Sequence, residues 1–174
     1  MKPGIDMRGG SPPTGPWTRK ADTQPQASIL VTHRYGAPSV RVFDAWLDPD
    51  VAGRWLFATA SRPIAQLAID ARVGGSFRFV DRHVGEIFEY AGEYVEIVPP
   101  RRLVFSLAME RPPHVITRVA VEIAPLKKGC VLQLTHDNVS PERASHVEGR
   151  WTGILYGLSV TLDSMSTTVH HDQE

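Results

Sequence analysis

His136 closes the last run of alternating residues in the chain, Cys130–Asp137, and falls on its apolar side. A partly buried imidazole there can titrate near neutral pH, which makes it a candidate ligand contact or general base, though no catalytic residue is assigned. The competing role is hydrogen-bonded packing, and residue type alone leaves both open. Tyr90 and Tyr94 share one face of a strand-like run, where their hydroxyls either orient a ligand or finish the edge of a core. Arg78 and Arg82 also share a face, and read as ion-paired arginines or as an anion clamp. Glu89 and Glu93 lie on one face too, but four residues of strand span ~13 Å, too far for two carboxylates to share acid–base work. They read, with Glu86 and Glu96, as a solvated edge.

Other chemistries are excluded by context. Gly74-Gly75 stands between two strands rather than between a strand and a helix, so it is not a phosphate loop. No serine lies in a nucleophile elbow. Cys130 is the single cysteine, so neither an internal disulfide nor a thiolate metal site is available, and it reads as a small core hydrophobe. His170-His171 looks like a metal pair but follows the last helix. No metal site and no cofactor are expected.

The aromatic residues offer more. Trp46, Trp55, Phe57, Phe77, Phe79, Phe105 and Trp151 come from separate elements and should converge on one interior, with Trp55 and Phe57 at its mouth. The element they converge on is a helix over 140–165. Ser140 is placed as its N-cap, with Pro141 at the first position and Glu142 in the first turn. Ala144, Val147, Trp151, Ile154, Leu155, Leu158, Leu162 and Met165 recur at threes and fours and form one apolar stripe. Burying each large side chain of the stripe is worth roughly 1.5–3 kcal/mol. Beside it run Gly149, Gly153 and Gly157, which allow close packing against strands or leave the floor of a cavity.

Before the helix comes a sheet. Ser28–Tyr35 reads as a strand, and a helix starting at Pro38 buries Val42, Phe43, Trp46 and Leu47. Asp48-Pro49-Asp50 opens a second, short helix with Asp48 as N-cap. From Ile64 the period changes to two, giving strands Ala65–Asp70, Ser76–Arg82, Phe88–Val98, Leu103–Met109, Val115–Ala124 and Cys130–Asp137. Gly74-Gly75, Pro99-Pro100 and Lys127-Lys128-Gly129 punctuate them as short turns, so neighbours pair antiparallel. One face carries Phe77, Phe79, Leu103, Phe105, Val119, Val121, Leu132 and Leu134, and the other Arg78, Ser106, Arg118, Glu122 and Gln133. A sheet greasy on one side only needs a cover, and the last helix is available. The fold class is α+β: a curved, seven-stranded antiparallel sheet around a long C-terminal helix, with two short helices after strand 1.

The chain has 174 residues and a formal net charge of zero, with 42% hydrophobic and 22% charged residues. These values suit one globular domain. Zero net charge argues against a general nucleic-acid binder. No apolar run approaches the ~20 residues of a membrane span, and no signal-peptide core precedes the domain, so the expected compartment is the cytoplasm. Residues 1–26, rich in Pro and Gly, read as a disordered tail anchored at most by Trp17. The domain is placed at 27–166, with a flexible tail at 167–174.

The local phrases carry a resemblance. Val42-Phe43-Asp44-Ala45-Trp46-Leu47-Asp48-Pro49, Arg54-Trp55, Gly74-Gly75-Ser76-Phe77-Arg78-Phe79, the run from Gly92 to Phe105, Leu132-Gln133-Leu134-Thr135-His136 and Trp151-Thr152-Gly153-Ile154-Leu155 are similar to the START-like (SRPBCC) superfamily. Within it they resemble the subfamily named for activators of the heat-shock protein 90 ATPase (Aha-type C-terminal domain). One departure stands out: the family often has glycine directly before the helix tryptophan, and here Arg150 fills that place. The resemblance implies a helix-grip fold whose cavity between sheet and helix often holds a small apolar molecule. The expected lining is Trp55, Phe57, Phe77, Phe79, Tyr90, Phe105, Val121, Leu134, His136, Trp151, Leu155 and Leu158. A chaperone contact and a cyclase- or hydrolase-like use of the same cavity, with His136 as base, are the alternatives. Homodimerisation is left open.

Overall fold

The computed structural model describes residues 25–58, 64–83, 85–109 and 115–168. Trp17, His170-His171 and most of both expected tails lie outside them. Strand β1 (Ala27–Tyr35) leads into helices α1 (Ser39–Leu47) and α2 (Pro49–Trp55). Strands β2 (Ile64–Ile69), β3 (Ser76–His83), β4 (Glu86–Val98), β5 (Arg102–Met109), β6 (Ile116–Pro125) and β7 (Cys130–Val139) follow, then helix α3 (Ala144–Thr168). The seven strands form one antiparallel sheet in the order β1-β7-β6-β5-β4-β3-β2. It is a meander from β2 to β7 with β1 returning to its far edge, and α3 covers its concave face. This is the helix-grip fold, as expected.

The local signals act as the residue types predict. Asp48 accepts a hydrogen bond from the Asp50 amide at 2.9 Å, capping α2 with Pro49 at its first position. Gly129 turns β6 into β7 at φ +75°, where a Cβ would come within 1.9 Å of the Tyr35 carbonyl oxygen; only glycine fits there. Gly92 clears room on β4 for the Phe77 ring, which a Cβ would meet at 2.6 Å.

Helix α3 departs from expectation at its start. Ser140 makes no side-chain cap; instead Pro141–Arg143 form a 3-10 turn, with the Arg143 amide donating to the Ser140 carbonyl. Such turns satisfy the orphan groups of a helix start when the cap does not. α3 is then pinned along its length. The Trp151 indole donates to His136 Nδ1 on β7 at 2.9 Å, and the Tyr35 hydroxyl of β1 donates to the Leu155 carbonyl at 2.9 Å. His33 meets Ser159 at 2.8 Å, and Arg41 of α1 donates to Ser166. Leu134, Val121, Leu155 and Leu158 are fully buried beneath these contacts.

The outer face of the sheet is paired rather than bare. Arg78 forms a two-pronged ion pair with Glu89, and Arg102 bridges Glu96 and Glu122. Arg78 is thus one of the ion-paired arginines, not an anion clamp. Cys130 is buried and free, a core residue as expected.

Candidate functional site

The space between α3 and the sheet is filled with rings. Trp46 of α1 meets Trp55 edge-on at 4.8 Å between centroids and lies near Phe105 and Trp151. Phe77 meets Phe105 edge-on at 5.4 Å and Phe79 at 6.0 Å. Between them remains a small hollow of about 10 Å³, lined by Trp46, Leu56, Phe57, Phe77, Phe79, Tyr94, Leu103 and Phe105. That is room for no more than a water. The sequence reading expects a hollow of small-molecule size; in this structure the aromatic side chains occupy it.

Among the expected lining residues, the hollow brings together Phe57, Phe77, Phe79 and Phe105. Trp46, Tyr94 and Leu103 also face it. The periodicity marks them as core without saying whose tips reach the void. Trp55 sits deeper than a mouth residue, 1% exposed, its indole donating to the Ala45 carbonyl at 3.1 Å. Val121, Leu134, Leu155 and Leu158 belong to the packed floor.

His136 is held on both nitrogens. Because Trp151 Nε1 can only donate, His136 Nδ1 must accept, which leaves the proton on Nε2. Nε2–H then donates to Thr117 Oγ1 at 2.7 Å, and Thr117 donates to the Leu107 carbonyl at 3.0 Å. Burial pushes the imidazole down to about 4, partly opposed by Asp137. No lone pair is free to accept a substrate proton, so this arrangement pins α3 to β7 rather than acting as a base.

Outside the hollow, at the N-terminal half of α3, lies a groove of about 310 Å³ lined by Phe57, Ala58, Gly149, Arg150, Gly153 and Ile154. A Cβ added to Gly149 or Gly153 would meet nothing within 4 Å. Close packing against strands, the first expectation for this glycine line, is not what these positions show: only Gly157 has a neighbour, Trp55 of α2, which its Cβ would touch at an ordinary 3.9 Å. Among the described residues, Phe57 is the one lining both spaces. It has φ +60°, an uncommon backbone for a bulky residue. Its ring stacks on Tyr90 at 4.4 Å and 7°, and it meets Phe79 edge-on at 5.4 Å and Trp151 at 5.9 Å. Such pairs are worth about 0.5–1.5 kcal/mol each beyond burial, enough to hold a backbone that costs roughly 1–3 kcal/mol.

Tyr90 has a second partner. The Arg150 guanidinium donates to its hydroxyl, and its carbon lies 4.8 Å from the ring centroid. The phenol of Tyr94, also buried, is pushed up by desolvation. Among the described residues no group of His, Cys, Asp or Glu could hold a metal ion, and no helix is long and apolar enough to cross a membrane.

Comparison with known proteins agrees with this architecture. A Chromobacterium violaceum protein of solved structure is 25% identical, with a TM-score of 0.69 over 76% of this chain and 94% of that one. CalU16 from Micromonospora echinospora is 27% identical, with a TM-score of 0.60 over 82% and 80%. An AHSA1-like protein from Aeromonas hydrophila is 23% identical, with a TM-score of 0.69 over 85% and 100%, a likeness of fold. No curated protein matches the chain. The model of the Activator of Hsp90 ATPase homolog 1-like protein family matches residues 36–163, and the chain belongs to that family.

Proposed function

We propose that the protein binds a small, largely apolar molecule at the mouth of the space between sheet and α3, with Phe57 as the displaceable partition. The observation that carries this reading is that Phe57, alone among the described residues, lines both the 310 Å³ groove and the small hollow behind it. The groove has the size of a small-molecule site, and its walls combine the apolar Phe57, Ala58 and Ile154 with the Arg150 guanidinium and glycine backbone. A ligand entering it would take over the Phe57 contacts with Tyr90 and Trp151. The strained φ of Phe57 would relax as its ring left.

The test uses the neutral dye N-phenyl-1-naphthylamine, whose emission rises in apolar surroundings. The dye should bind one to one. Phe57→Ala should tighten binding by joining groove to hollow, and Gly153→Leu should weaken it by filling the groove. Binding unchanged in both variants, or no binding in any of the three proteins, would defeat the reading. Native mass spectrometry of freshly purified protein would show whether a molecule already travels with it.

A further inference from the structure

We infer that the groove is built for an acid: its occupant carries a carboxylate that pairs with Arg150, and an apolar body that lies along Gly149 and Gly153. This rests on the binding reading above and names the class of ligand.

Arg150 lines the groove half-buried and forms no ion pair among the described residues. The outer-face arginines Arg78, Arg102 and Arg118 all face carboxylates. Arg150 instead rests against Tyr90, giving one N–H to the phenol oxygen. A guanidinium offers five N–H donors in a planar fork that matches a carboxylate. The Tyr90 contact fixes the head of a long side chain in advance, which lowers the entropy a ligand must overcome. Beside the charge, Phe57 and Ile154 supply an apolar wall, and the two glycines leave a floor without side chains. Charge beside an open apolar trough suits an amphipathic acid rather than a hydrocarbon.

One group on the sheet argues the other way. Asp81 is buried, and strand alternation puts it on the concave face with Phe77 and Phe79. Its Oδ1 has no partner among the described residues. It would favour a basic ligand, and the test must separate the two. Glu148 and His146 are the other titratable side chains on this part of α3.

Calorimetric titration with 1-naphthylacetic acid, its neutral amide and 2-(1-naphthyl)ethylamine compares charge on nearly one body. The acid should bind the native chain about tenfold or more tighter than the amide, the range of a charge-assisted hydrogen bond. Arg150→Gln should level acid and amide while leaving the amide unchanged; Arg150→Lys should keep part of the preference; Asp81→Asn should change none of it. An acid no tighter than the amide, a preference that survives Arg150→Gln, or an amine that binds tightest and weakens in Asp81→Asn would each overturn the inference. If the neutral dye of the previous section still binds in those cases, only the inference falls. If neither dye nor naphthyl compounds bind, the binding reading falls with it.

Discussion

The two halves of α3 meet the sheet in opposite ways. In the C-terminal half, Leu155, Leu158 and Leu162 are buried, and Tyr35, His33 and Arg41 tie the helix to β1 and α1. In the N-terminal half, two glycines face open space, an arginine leans on a tyrosine sixty residues away, and a phenylalanine with positive φ closes the gap. Trp151 and His136 mark the boundary. One helix thus serves as a structural wedge at one end and as one wall of a groove at the other. Such division suits a binding domain, because the packed half can hold the fold while the loosely packed half leaves room beside Gly149 and Gly153.

The contrast is broken most directly in the packed half. Leu158→Ala removes a fully buried side chain with little room to collapse, and should cost about 2–5 kcal/mol in urea unfolding. A loss below 1 kcal/mol would mean that this half is as loose as the other. At the boundary, the buried imidazole supplies a pH signature. Unfolded, His136 takes up its proton near 6.5; folded, it does so at about 4. Between those values the unfolded chain holds more protons, so acid favours unfolding. The stability from the neutral ring is complete above pH 6.5 and lost as pH falls through 4, about 3 kcal/mol over the whole range. His33 is also lowered by burial and adds to the same trend. His136→Gln can still accept from Trp151 and donate to Thr117, but it does not titrate. Its stability should fall less than that of the native chain between pH 7 and 4, and equal slopes would assign the trend elsewhere.

How much of this could be read from residue order differs between fold and site. The change of period at Ile64, the Asp48-Pro49-Asp50 start and the turn glycine Gly129 are local signals, and the elements fall within a few residues of them. Alternation also separates the two faces of the sheet, because a strand has no other way to bury alternate side chains. The site is not local. Alternation puts Val121, Leu134 and Phe105 on one face but cannot say that only Phe105 reaches the hollow. Nothing in the run Trp55-Leu56-Phe57 announces a positive φ at a phenylalanine. The Arg150–Tyr90 contact joins α3 to β4, and its only trace in the sequence is the arginine directly before Trp151. The Trp46 indole N–H, buried beside the hollow and without a partner among the described residues, likewise depends on how the rings pack.

The smallest effect sharpens the comparison most. Gly153 is exposed within α3, and a Cβ there meets nothing. Gly153→Ala should therefore stabilise the helix by about 1 kcal/mol, the propensity difference with no packing cost to offset it. Gly157→Ala, with Trp55 at 3.9 Å from the added carbon, should gain a similar propensity with ordinary contact. If glycine at 153 serves only the fold, its replacement has no functional consequence. If it keeps the groove clear, the more stable Gly153→Ala variant should bind the naphthyl acid more weakly, while Gly157→Ala binds it as the native chain does. Gain of stability with loss of affinity, confined to position 153, is a pairing that helix propensity alone does not produce.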